Sequence, residues 1–455
     1  MKSKRPYSFI VAILKAYNKM RSVAVPGHSD NCKPEGVSEF STRFVWPHCC
    51  ARGRVHSVHK LILLHAFGLS LAGCAWAESN SEQFRSRLIF PAQSKHVHSS
   101  SIVECPNGDL LAVWFHGSGE RTANDVVIQG ARLKKGSDAW GEVFTAADTP
   151  GLPDCNPVVF LDGRQRLWLT WPVVRLNRWE HSLMKYKVSA DYEGGGAPRW
   201  QWQDVILIEP GDDFPEQLRK GFKQLGYEQQ MWGEYAKPYD ELLVAAAADP
   251  VKRDIGWMTR AKPLRITQGT HAGRLLLPLY SDGFNISLMA ISDDDGENWR
   301  PSKPMVGLGN IQPTLARRKD GTIVAFMRDG GESPKRVMVS ESKDDGETWS
   351  VARDIDLPNP SSSLALVSLS DGRWLLVLND TEDGRHQLAA VVSEDEGRTW
   401  KVKKYLDKSP PSEGNYGYPT AILSRNGRVH VTYTHDVKGG KSIKHVEFDP
   451  AWLER

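Results

Sequence analysis

Cysteine is scarce in this chain: there are six in 455 residues, and only Cys105 and Cys155 stand beyond residue 77. That leaves room for at most one disulfide in the globular part, between neighbouring segments, with two unpaired buried thiols as the equal alternative. Net charge is also small, +3 overall, and it is unevenly spread. Residues 1 to 60 hold eleven Lys and Arg against three acidic residues, so the remaining 395 carry −5. A mildly acidic body offers no nucleic-acid surface. There is no glycine-rich phosphate loop, since Gly194, Gly195 and Gly196 lie in a polar turn. His96 and His98 fall on one strand face without a third ligand, so no metal or cofactor is expected. The apolar run Leu61 to Ala72 is too short and too soon interrupted to cross a bilayer.

That same run has another use. A basic start leads into it and small residues follow, which is the anatomy of a secretory signal over 54–77. Two processing readings compete, cleavage after Ala75-Trp76-Ala77 or lipidation of Cys74 within Leu71-Ala72-Gly73-Cys74, and cleavage is slightly favoured. Either one exports the protein to the periplasm, the medium or a lipid anchor at the cell envelope. Export machinery reads N-termini, so residues 1–53 are a doubtful extension, and translation is expected to start near Val55 or Val58.

What the chain does have is repetition. SDDDGENW at 292, SKDDGETW at 342 and SEDEGRTW at 393 recur at a spacing that fits one four-stranded propeller blade. A second element recurs with them, a turn glycine followed by a β-rich apolar run: NGDLLAVW at 107, DGRQRLWLTW at 162, AGRLLLPLY at 272, DGTIVAFM at 320, DGRWLLVL at 371 and NGRVHVTY at 426. Asn-Gly and Asp-Gly supply the positive φ of tight hairpins. Six hairpins predict an all-β, six-bladed propeller over 84–455. The doubled interval between Gly163 and Gly273 predicts a partly helical insertion at about 205–260, with a seventh, degenerate blade as the alternative. Three octapeptides at blade spacing cannot share one active site, so their acidic residues are read as turn caps.

Innermost strands of a propeller converge on its axis, and they should lie just before each turn. Nine residues back from the turn glycine stand Ser99, Asp154, Gln312, Ser363 and Tyr418, with Lys262 from the irregular blade. Asn156-Pro157, Lys262-Pro263, Gln312-Pro313 and Tyr418-Pro419 mark strand entrances, because proline is tolerated at a first strand residue. Asn156 and Lys262 are therefore candidate substrate contacts.

With these residues in view, the chain resembles the sialidase (neuraminidase) superfamily of six-bladed propellers, in its bacterial branch of BNR or Asp-box repeat proteins. The resemblance implies an arginine cluster for a substrate carboxylate, a tyrosine nucleophile with a glutamate partner, and an aspartate acid/base. It places the second and third arginines on Arg328 and Arg385 and the nucleophile on Tyr418. The other positions depart from the pattern: His98 stands for the first arginine, Gln312 for the glutamate, and Thr122 for the aspartate, with Glu120 and Asp125 nearby. Asp125 is taken as the replacement acid/base. His98, with His96 and His116 behind it, can move protons near neutrality.

The expectation is an exported, monomeric exo-glycosidase of sialidase type, acting on the terminal acidic sugar of an anionic oligosaccharide or polysaccharide. Its alternatives are a propeller that binds glycans without cleaving them and a polysaccharide lyase acting on a uronic-acid glycan.

Overall fold

The computed structural model describes residues 83–226 and 233–454. The N-terminal extension, the signal segment and Cys74 lie outside them. Six antiparallel sheets follow one another along the chain. Blades I and II span 96–147 and 158–206, blade III 257–301, blade IV 310–358 and blade V 365–408. Blade VI takes three strands from 414–448, and Phe84–Leu88 is its outermost strand, paired with Gly440–Phe448. The ring is thus closed by joining the two ends of the propeller segment, which the hairpin count did not foresee.

The insertion is helical, as its composition predicts, at Phe214–Leu225, Gly233–Ala247 and Pro250–Arg253. Phe214, Leu218 and Phe222 fall at successive turns, so one apolar stripe packs on Trp257, Phe284 and Val306 of blade III. Among the described residues no helix is long and apolar enough to cross a membrane. Cys105 and Cys155 are free thiols, both buried in one apolar cluster between blades I and II.

The octapeptides close hairpins at the rim of the disc. In the last copy the Asp395 carboxylate accepts from the Thr399 amide at 2.8 Å and from the Ser393 hydroxyl at 2.8 Å, and Gly397 takes a positive φ of 86°. The acidic residue just before the glycine of each copy reaches back to the preceding blade. Asp295 accepts from the Gly163 amide at 3.1 Å, Asp345 meets His271 at 3.1 Å, and Glu396 accepts from the Lys319 amide at 3.2 Å. These carboxylates cap turns and join blades, away from the axis. The segment after Ser189 is a worn fourth copy: Ser189 Oγ and Asp191 hold the turn, but no glycine follows at the usual place.

The innermost strands share a distortion that positions everything at the axis. Ser99, Gln312 and Tyr418 sit where the register of their strands breaks, at φ of 59°, 56° and 55°. Asn156 and Ser361 adopt 44° and 56° just ahead of theirs. A left-handed non-glycine residue costs about 1–2 kcal/mol, and these five are held against that cost by the sheets behind them. Each break turns one side chain from the sheet toward the axis. Proline follows three of them, Pro157, Pro313 and Pro419, where the ladder needs no N–H donor.

Candidate active site

Tyr418 is the centre of the pocket, with 8% of its surface exposed. Arg328 comes from the second strand of blade IV, Ile323–Asp329, and its Nη1 donates to Tyr418 Oη at 2.8 Å. Its Nε donates to Ser361 Oγ at 3.1 Å, which fixes the plane of the guanidinium. Arg385 lies in the loop leading to the strand Gln387–Ser393 of blade V; its Nη2 donates to the Ser361 carbonyl at 3.0 Å and its guanidinium stands 5.1 Å from the centre of the Tyr418 ring. Gln312 donates through Nε2 to Tyr418 Oη and to Tyr280 Oη, each at 3.3 Å. On the other side the His98 ring packs against Tyr418 with centroids 4.1 Å apart.

The electrostatics follow from this packing. Burial pushes the Tyr418 phenol up, but the charges of Arg328 and Arg385 outweigh it, and the net shift is downward. His98 is pushed well below its ordinary value, first by burial and then by Arg385 and its other cationic neighbours, so the ring is neutral. The Thr434 hydroxyl accepts from the Ser99 amide at 3.2 Å and meets His98 Nδ1 at 2.8 Å. Tyr418 Oη, accepting from both Arg328 and Gln312, is set up to carry negative charge.

The other expected residues divide. Asn156 joins the cluster through Tyr280 Oη, at 3.4 Å. Asp125 does not: its exposed carboxylate is held by the Ser118 amide and hydroxyl at 3.0 and 2.7 Å, bonds that keep it low in pKa. Five residues earlier, burial raises the Glu120 carboxyl despite the charges of Arg121, Arg385 and Arg328. Of the two acids in this loop, Glu120 is therefore the one that feels the arginine charges. Lys262 lies further along the axis, its Nζ bonded to the Ile102 carbonyl. Asp154 is structural, accepting from Trp171 Nε1 at 2.7 Å inside blade II. Among the described residues no group of three His, Cys, Asp or Glu could hold a metal.

One principal member had no signal in the sequence. Arg260 sits where the inner strand of blade III is interrupted, between Trp257–Thr259 and Leu264–Arg265. It is 2% exposed, donates through Nη2 to the Tyr418 carbonyl at 2.5 Å, and places its guanidinium 5.1 Å from the centre of that ring. Burial takes it down to about 10. The irregular blade lacks the pattern that gave the phase elsewhere, so nothing flagged this arginine.

A six-bladed propeller with arginines gathered on an axial tyrosine defines a sialidase-like class of protein. The chain belongs to the sialidase superfamily: the BNR repeat-like domain model matches residues 108–239 and 253–431. It is similar to a sialidase of Micromonospora viridifaciens, 27% identical over 217 residues that cover 44% of this chain and 32% of that protein. It is also similar to an anhydrosialidase of Macrobdella decora, 27% identical over 191 residues, 37% of this chain and 24% of that one. The chain thus spans a third or less of the length of these relatives. Among solved structures, a leech intramolecular trans-sialidase shares the fold at a TM-score of 0.59 and 14% identity, over 85% of this chain and 73% of that one.

Proposed function

We propose that this protein is a sialidase-like glycoside hydrolase that removes a terminal acidic sugar from a glycan. The observation that carries the reading is the Arg328 to Tyr418 Oη bond at 2.8 Å, with Arg385 and neutral His98 against the same ring. Two guanidinium forks suit a sugar carboxylate, and His98 stands as an uncharged imidazole where the superfamily has its first arginine. Tyr418 attacks the anomeric carbon as a phenolate favoured by cationic neighbours, since Gln312 cannot take its proton. Glu120, whose carboxyl burial shifts upward against the pull of Arg121, Arg385 and Arg328, gives a proton to the leaving oxygen and then, as carboxylate, activates water. The signal-like segment supports action outside the cytoplasm, and its processing is open to N-terminal sequencing of the mature chain.

Gln312 at the base position also supports a second reading, a propeller that holds acidic glycans without cleaving them. One experiment separates them: incubation with sialylated, uronic-acid and sulfated glycans, read by the mass of released product. Hydrolysis adds water to the products, a lyase adds none, and a binding protein releases nothing. Tyr418→Phe is expected to lower turnover by about 1,000-fold or more while binding persists; full activity in that variant overturns the mechanism.

A further inference from the structure

Past Tyr418 along the axis, toward the hairpin face, lies a cavity of about 110 Å³ whose lining includes Arg260, Lys262, Thr314, Leu364, Pro419 and Thr420. Its polar groups are nearly all donors. Lys262 has three N–H bonds and spends one on the Ile102 carbonyl. Arg260 bonds the Tyr418 and Pro419 carbonyls through Nη2 at 2.5 and 3.3 Å, while its buried Nε has no partner. The Thr314 hydroxyl accepts from the Leu366 amide at 3.3 Å and keeps its own proton for the cavity. The Thr420 hydroxyl donates to the Ser100 carbonyl at 2.7 Å, leaving its oxygen 3.5 Å from Arg260 Nη1.

Among the described residues no salt bridge joins Arg260 or Lys262 to a carboxylate. Tyr418 and Tyr280 raise Arg260 against burial, His98 feels its charge, and burial alone drives Lys262 down to about 7. Uncompensated cations withdrawn from bulk water are costly unless an anion joins them. Water alone supplies an acceptor but no charge. A water molecule takes about 30 Å³, so the cavity has room for a halide and its remaining hydration.

We infer that this cavity is an anion site, taking a halide-sized monoanion between Arg260, Lys262 and Thr314, and that its occupancy tunes the tyrosine above it. Arg260 is the link, because it bonds the Tyr418 carbonyl and lies on the Tyr418 ring. A bound anion offsets the Arg260 charge, so Tyr418 holds its proton to higher pH when the site is full.

Sodium bromide is the probe, compared with sodium gluconate at equal ionic strength. Crystals soaked in bromide should show an anomalous peak in the cavity, and the thermal midpoint of the wild type should rise saturably with bromide. Lys262→Met should abolish both effects. The tyrosinate titration of Tyr418, taken as wild type minus Tyr418→Phe, should move upward in bromide. An empty cavity in the anomalous map, equal midpoints in the two salts, or an undiminished response in Lys262→Met overturns the inference. None of these readouts needs a glycan, so they stand or fall apart from the hydrolase assignment.

Discussion

The clearest quantitative consequence of the pocket is that Arg328 sets the ionisation of Tyr418. Arg328→Met keeps a side chain of similar reach and removes the charge and the donor 2.8 Å from Oη. At that separation, with an effective dielectric near 20, the Coulomb ceiling is about 6 kcal/mol. Water replaces part of what is lost, and a hydrogen bond to a charged group is worth about 1.5–3 kcal/mol net. Dividing by about 1.4 kcal/mol per pKa unit gives an upward shift of about 1–2 units. The assay is ultraviolet titration of tyrosinate, with Arg328→Met minus Arg328→Met/Tyr418→Phe set against wild type minus Tyr418→Phe. Tyr280 and Tyr433 are pushed well above the ordinary value and Tyr192 to about 12, chiefly by burial, so they ionise later and leave the window readable. If the two difference curves coincide, or the variant titrates earlier, the arginines do not prepare Tyr418 and the nucleophile reasoning fails.

Two further tests concern the frame. At Asp395 burial works against ionisation, but bonds from Thr399, Ser393 and Arg398 outweigh it and hold the carboxyl at about 2. A depressed folded pKa stabilises fully above the unfolded value of about 3.9 and is lost as pH falls through the folded one. Asp395→Asn should therefore be less stable than wild type at neutral pH, with the gap in urea midpoints narrowing between about pH 4 and about pH 2; a gap independent of pH contradicts the cap. Gly346 has φ of 90° and a Cβ there would lie 2.7 Å from Leu276 of the preceding blade, so Gly346→Ala should cost about 2–4 kcal/mol from strain and overpacking together. Gly136→Ala, at φ of 78° with nothing within 4 Å, should cost about 1–2 kcal/mol by urea unfolding, and equal losses at the two sites refute the packing contribution.

Most of the fold could be read because it is periodic. The octapeptides are local turns whose polar groups satisfy one another within a few residues, so their sequence carries their structure. Counting nine back from the turn glycine found Ser99, Gln312 and Tyr418, each at a backbone break, but pointed to Asp154 and Ser363 where the left-handed residues are Asn156 and Ser361. In blade II the rule failed because Gln165, at φ of 59°, holds the left-handed turn position in place of Gly163, and nine back from it is Asn156; in blade V the left-handed Ser361 lies two residues ahead of the counted Ser363. Arg260 and Glu120 were harder still. Arg260 meets Tyr418 across 158 positions of chain from an interrupted strand, and the choice between Glu120 and Asp125 turns on which carboxylate a short loop folds back upon Ser118. Ring closure by Phe84–Leu88 left no repeat to count, because that strand has no hairpin of its own.

The five left-handed residues serve as sockets for the side chains at the axis. Serine, asparagine, glutamine, serine and tyrosine occupy the same backbone geometry around one axis, and where the break lies within a strand the ladder resumes at Ser101, Thr314 and Thr420 whatever precedes it. Valine, isoleucine and threonine are barred from these sockets by their resistance to positive φ, and the burial of Ser99, Asn156 and Gln312 limits further what each can hold. The floor of the pocket is in effect a five-letter word written in a restricted alphabet on a fixed page.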